Sequence, residues 1–293
     1  MKVHDPLAAV FLSPSHQTGK FRTACCSRVD VNDMGSPKSF SACALGAPLS
    51  QPLEDVLLLP TLMRAVGGQP GVFVELGALD GKKFSNTFML EQCFGWRGVL
   101  IEANPINFAR LNASGRPTCV EGRCIHSAVC KEGVGSLRMS LDGGETAGEL
   151  VFLTKRRKKS RAKRTVDVPC EPLSSLMTRH GLASADFLSL DVEGAEGKVL
   201  ETVDPRAFKV VMVEALSSAA RVRKMMQRAR MVRSINATVP FSDVWLGPGV
   251  EEVPISGVFR PGRLGAMTET KVISSVPVPQ LASALRRALH SKT

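Results

Sequence analysis

The stretch VELGALDG, residues 74 to 81, places acids and glycines where an apolar run ends: Glu75, Gly77, Ala78, Asp80 and Gly81. A loop built for a dinucleotide pyrophosphate carries G-x-G-x-x-G, so that backbone N–H groups approach the anion, and it keeps carboxylates at a distance. Here the spacing is Gly77-x-x-x-Gly81 with Asp80 inside it. An acidic rim disfavours phosphate and suits a ligand bearing an ammonium group and a sulfonium centre, which describes S-adenosylmethionine. Other apolar runs end in the same kind of residue. Glu102 is followed by Asn104, Asp191 by Glu193, Gly194 and Glu196, and a later run ends at Glu214, while His126 and Ser127 end another. Glu102 lies 25 positions after Gly77, close to the interval at which an acid on a second strand meets ribose hydroxyls.

These residues need elements to bring them together. VFVEL, RGVLIEA, CIHSAV, DFLSLDV and FKVVMVEA read as buried strands, being short, apolar and bounded by turn residues. Between them, helical patterns cover NTFMLEQCF with Ser85 as N-cap, PINFARLNA with Pro105 in its first turn, PLSSLMTRHG, and AEGKVLETV. Strands alternating with helices predict an α/β fold with a mostly parallel sheet covered on both faces. In such a sheet ligands bind outside the carboxyl ends of the strands, which is where the acids fall. Residues about 131–170 carry β-branched, Gly-punctuated sequence and read as a small β insertion; MVRSINATVPFSDVWLG supplies two closing strands. Residues 1–50 read as a disordered leader or weak targeting segment, 51–246 as the domain, and 247–293 as a Pro-, Gly- and Ser-rich tail with a short helix over 281–290.

In order and rough spacing, VFVELGALDG, GVLIEANP, FLSLDVEGAEGKVLETVD and VVMVEA resemble FkbM-type methyltransferases over about residues 50–246, with the string at 191–196 the most specific element. The resemblance implies a Rossmann-like class I methyltransferase fold, a seven-stranded sheet with a reversed last strand, and S-adenosylmethionine as methyl donor to a hydroxyl oxygen of a small molecule or sugar. It implies that Glu75, Gly77, Ala78, Asp80 and Gly81 line the methionine part of the donor and that Glu102 holds the ribose diol. Asn104 would sit beside the adenine or shape its loop, with His126 and Ser127 flanking the base. Asp191, then Glu193, would serve as the base that takes the acceptor proton. A divalent cation on these two carboxylates is the disfavoured reading, and no metal ligand is assigned. The chain departs from the family in lacking a Gly-Tyr pair near RARMVR, and it has no tyrosine at all, so the acceptor side is expected to differ.

Composition narrows the alternatives. The net charge is +11, and eight of the basic residues lie in KRRKKSRAKR, residues 155–164, leaving +3 for the rest. Without interleaved aromatics that run reads as a solvated loop, and a nucleic-acid partner is disfavoured. No apolar run is long enough to span a membrane. The cytoplasm is the favoured compartment, with organelle targeting by residues 1–50 the alternative. The eight cysteines read mostly as buried thiols, Cys130 with Cys170 being the pair singled out against that reading, and no spacing suggests structural zinc. Structural readings compete at several positions: His126 as an ordinary strand-end side chain, Glu196 as an acid at a helix N-terminus, Glu214 as a strand cap. Two other functions stand beside the methyltransferase: a catalytically silent interaction or trafficking module, and an NAD-dependent oxidoreductase, disfavoured by the missing G-x-G-x-x-G.

Overall fold

The computed structural model describes residues 50, 54–142, 164–214, 218–234 and 242–253. The expectations for the leader, for most of the basic run and for the tail beyond 253 lie outside them.

Helix α1 (Glu54–Ala65) leads into strand β1 (Val72–Leu76), helix α2 (Phe88–Phe94), strand β2 (Arg97–Glu102) and helix α3 (Pro105–Asn112). A short helix α4 (Pro117–Val120) precedes β3 (Cys124–His126) and β4 (Ala128–Val129), and β5 (Ser136–Ser140) and β6 (Thr165–Glu171) follow. Then come α5 (Leu173–Arg179), β7 (Ala185–Leu190), α6 (Glu196–Val199), β8 (Phe208–Val213), α7 (Ala219–Arg228), β9 (Val232–Arg233) and β10 (Asp243–Leu246). Seven strands form one sheet in the order β3-β2-β1-β7-β8-β10-β9. The pairs β3–β2, β2–β1, β1–β7 and β7–β8 are parallel, and β10 is antiparallel to both its neighbours. The reversed strand is thus the last in sequence but not the edge strand in space.

Period-two alternation sends successive strand residues to opposite faces, and both faces are covered. Phe73, Phe187, Val210 and Met212 pack with Leu58 and Leu62 of α1 and Met89 and Leu90 of α2. Val74, Leu188 and Val211 pack with Leu176 of α5, Val199 of α6, and Val222 and Met226 of α7. The Met-bearing face of α7 is therefore core. Packing runs on to Val253, whose amide donates to Thr61 Oγ1 of α1.

The helix expected over 86–94 with Ser85 as N-cap begins at Phe88 and has Thr87 at its N-cap position; Ser85, two residues earlier, still accepts from the Phe88 amide through Oγ at 3.1 Å. The helix expected over 195–203 is a single α turn continued by a 3-10 turn, Leu200–Thr202. The strand expected over 124–129 breaks at Ser127: β3 stays in the main sheet, while β4 joins a second, three-stranded sheet in the order β4-β6-β5. That sheet is the β insertion, with β5–β6 antiparallel and β4–β6 parallel. A correction concerns the thiols: Cys119–Cys124 and Cys130–Cys170 are disulfides. The first closes the turn between α4 and β3, and the second ties the residue after β4 to β6.

Candidate active site

The carboxyl ends of β1, β2 and β7 open onto a cleft. Its lining includes Gly77, Leu79, Lys83, Phe84, Glu102, Asn104, Ser127, Met139, Asp191 and Glu193.

The loop after β1 forms the near wall, and its geometry dictates its residues. Gly77 has φ +81°, and a Cβ there would lie 1.8 Å from the Asp191 carbonyl oxygen. Only glycine lets β1 and the end of β7 come this close. Gly81 has φ +79°, and a Cβ would press on Leu111 Cδ1 at 2.6 Å. Leu79 and Phe84 also hold left-handed φ of 51° and 60° without being glycine. Such conformations persist when surrounding bonds over-determine them.

Those bonds come from buried acids. Glu75 accepts from Ser85 Oγ at 2.8 Å, the Asn86 amide at 2.8 Å and Thr87 Oγ1 at 2.6 Å. Arg116, whose side chain is fully buried, pairs with Glu91 at 2.6 Å and stands 3.6 Å from Glu75. It also donates to the Gly81 carbonyl, Ser85 Oγ and Thr87 Oγ1, each at 3.0 Å. Asp80 Oδ1 accepts from the Lys82 and Lys83 amides at 2.9 and 2.8 Å. Glu75, Ala78, Asp80 and Gly81 are therefore not among the residues lining the cleft; they shape the loop that does. Sequence reasoning passed over Arg116 because its charged and polar side-chain partners are 25 to 41 residues away, and no local pattern announces such a network.

Glu102 faces the cleft from the end of β2. Its Oε2 accepts from the Leu79 amide at 2.9 Å and its Oε1 from the Asn104 amide at 2.7 Å. A carboxylate has about four acceptor sites, so each oxygen keeps capacity for a further donor. Burial pushes its pKa up to about 7, against the lowering by those backbone donors. Asn104 caps α3 by accepting from the Ile106 amide at 2.9 Å. Ser127 Oγ donates to the Ala128 carbonyl at 2.7 Å. His126 turns aside: its Nε2 lies 3.2 Å from the Ala103 carbonyl, and its ring stacks on Phe108 at 5.0 Å.

The far wall is acidic. Burial, then the neighbouring Glu214, raise the Asp191 carboxyl to about 8. Glu193 has φ +54°, and burial and Asp191 raise its pKa as well. Glu196, at the start of α6, accepts from the Gly194 amide and Ser218 Oγ, both at 2.7 Å, a structural assignment. Among the described residues, no group of three or more His, Cys, Asp or Glu is arranged to hold a metal ion. No described helix is long and apolar enough to cross a membrane.

The cleft thus brings together Gly77, Glu102, Asn104, Ser127, Asp191 and Glu193. A search of curated proteins finds no match. Among solved structures, the precorrin-6y C5,15-methyltransferase of Geobacter metallireducens GS-15 is similar at 11% identity, covering 59% of this chain and 70% of that one with a TM-score of 0.33. That likeness is too slight to bear on the site. Residues 75–233, more than half of the chain, match the methyltransferase FkbM domain; the segment holds every residue of the cleft, and the chain belongs to this methyltransferase family.

Proposed function

We propose that the cleft binds S-adenosylmethionine and that the protein methylates a hydroxyl oxygen of a small molecule or sugar. The carrying observation is Glu102: buried, held by two backbone amides, with acceptor capacity left over at the end of β2. That arrangement suits a vicinal diol, whose two hydroxyls would each donate to one carboxylate oxygen. Asn104 and Ser127 border the same end of the cleft and would flank the base. At the other end, Gly77 gives close backbone access, Asp191 and Glu193 favour cationic groups, and Lys83 is a cation in the lining suited to a carboxylate. Glu75, Ala78, Asp80 and Gly81 contribute by holding the loop, and His126 by packing beneath α3.

The bound donor supplies an activated methyl group on a sulfonium centre, open to in-line displacement by an aligned nucleophile. Asp191 takes the proton of the acceptor hydroxyl, and a raised pKa serves this role because a general base works best with a pKa near the operating pH. Glu193, at the mouth, orients the acceptor. The residues 51–246 act as the catalytic domain, with the second sheet as one wall of the acceptor side. The Cys119–Cys124 and Cys130–Cys170 disulfides favour maturation in an oxidising compartment over the cytoplasm.

Calorimetry on the full chain tests the reading, with S-adenosylmethionine and NAD titrated separately into wild type and Glu102→Gln. The expected result is binding of the methyl donor alone, weakened about 10- to 100-fold in Glu102→Gln, the scale of one or two hydrogen bonds to a charged group. Binding is expected to tighten as pH rises through about 7, because the ionised Glu102 is the acceptor form. Absence of donor binding by the folded chain would leave an interaction module as the better account.

A further inference from the structure

The ends of β7 and β8 leave the sheet side by side. Leu190 is in register with Val213, and the Glu214 amide donates to the Leu190 carbonyl at 3.0 Å. Registered residues of parallel neighbours share a face, so Asp191 and Glu214 project together, their carboxyl groups side by side and each acting on the other. A hydrogen bond between two carboxyl groups requires a proton on one of them, since an ionised carboxylate only accepts. Asp191 lines the cleft, whereas Glu214 is not among the lining residues. We propose that Glu214 is a positioning residue for Asp191: the pair shares one proton, and Glu214 thereby sets the orientation and proton affinity of the carboxyl that faces the acceptor. The proposal rests on the reading of Asp191 as the base.

The surroundings leave this task to Glu214. Asp191 also feels Glu75 from β1, Glu102 from β2, Glu193 beside it and Glu196 from α6, while Glu214 feels Glu54 from α1 together with Glu193 and Glu196. Glu75 and Glu196 are engaged elsewhere, Glu75 by Ser85, Asn86 and Thr87 and Glu196 by Gly194 and Ser218. They act on Asp191 only through space. Lys83 is the cationic side chain among the cleft-lining residues. Substituting Gln for Glu214 removes a like charge and offers an amide donor to the Asp191 carboxylate, so Asp191 must ionise at lower pH. Burial, the larger cause, persists and keeps it above the ordinary carboxylate range.

The test is a carboxyl-carbon NMR titration of the full-length chain, with Asp191→Asn assigning the signal. In wild type, Asp191 and Glu214 are expected to titrate in two separated steps, both carboxyl signals sensing each step. In Glu214→Gln the Asp191 midpoint is expected to fall by at least one pH unit, a tenfold change in proton affinity, and Glu214→Asp to restore it. An Asp191 midpoint unchanged in Glu214→Gln overturns the proposal. If Glu214→Gln does not fold, the wild-type titration decides: single, independent steps at the two carboxyls overturn it. If the NMR result holds while the acid limb of methyl transfer does not move in Glu214→Gln, the pairing stands and the base assignment of Asp191 fails.

Discussion

Asp191 and Glu102 sit where the fold opposes their ionisation, and the opposition has a sign. A carboxyl with a folded pKa of about 8 against an ordinary 3.8 binds more protons in the native than in the unfolded state between those values. Stability therefore falls as pH rises through that window and levels off above about 8. Glu102, raised to about 7 from 4.5, and Asp55, buried at the start of α1 and raised to about 6, act in the same direction. Asp191→Asn is expected to gain stability relative to wild type as pH goes from 5 to 8, by an amount on the order of a few kcal/mol, since a tenfold change in proton affinity corresponds to about 1.4 kcal/mol. Urea unfolding at pH 5, 6.5 and 8 checks this; a constant difference would mean that Asp191 is not destabilised by ionisation. Such a residue trades stability for a proton affinity matched to chemistry near neutral pH.

The element that matters most is the loop from Gly77 to Thr87. It contains left-handed residues, presents Leu79, Lys83 and Phe84 to the cleft, and is held from behind by Glu75, Glu91 and Arg116. Thr118 reinforces Glu91, its amide donating to Oε1 at 2.8 Å. Because this ion network is buried, removing one member leaves the others charged without a counterpart. Arg116→Met is expected to destabilise the protein by roughly 3–5 kcal/mol. Arg116→Lys is expected to recover little, since one ammonium cannot reproduce a guanidinium fork that serves Glu91, Gly81, Ser85 and Thr87 together. Urea midpoints measure both; a near-neutral Arg116→Lys would show that charge alone holds the loop.

Over the whole molecule, two sheets meet at Ser127, where the chain leaves β3 for β4. The second sheet gives Ala128, Val129 and Met139 to the cleft, and Cys130–Cys170 ties it down across a sequence separation of 40. Replacing both cysteines by serine is expected to remove about 2–4 kcal/mol of stability and to weaken donor binding, because one wall of the cleft loses its tie. The Cys119–Cys124 link spans a separation of only 5, and its loss is expected to matter less, as short loops gain less from closure. Peptide masses under non-reducing conditions check both pairings, and melting curves of the serine variants check the ranking.

The strands β1, β2, β7 and β8, their parallel order and the acids at their ends were determined by the sequence alone, because period-two burial and strand-end turns are written within a few residues of each other. So was the N-terminal role of Pro105, which depends on neighbours one turn away, whereas the N-cap expected at Ser85 falls on Thr87. Tertiary structure decided which acids share the cleft. Glu75 and Asp80 read like Glu102 in sequence, yet they face loop amides and hydroxyls that would otherwise be buried without acceptors, and that demand exists only once the loop is folded back. Asp191 met Glu214 for the same reason: strand register, a property of the sheet rather than of either segment, placed two carboxyl groups 23 residues apart in sequence side by side.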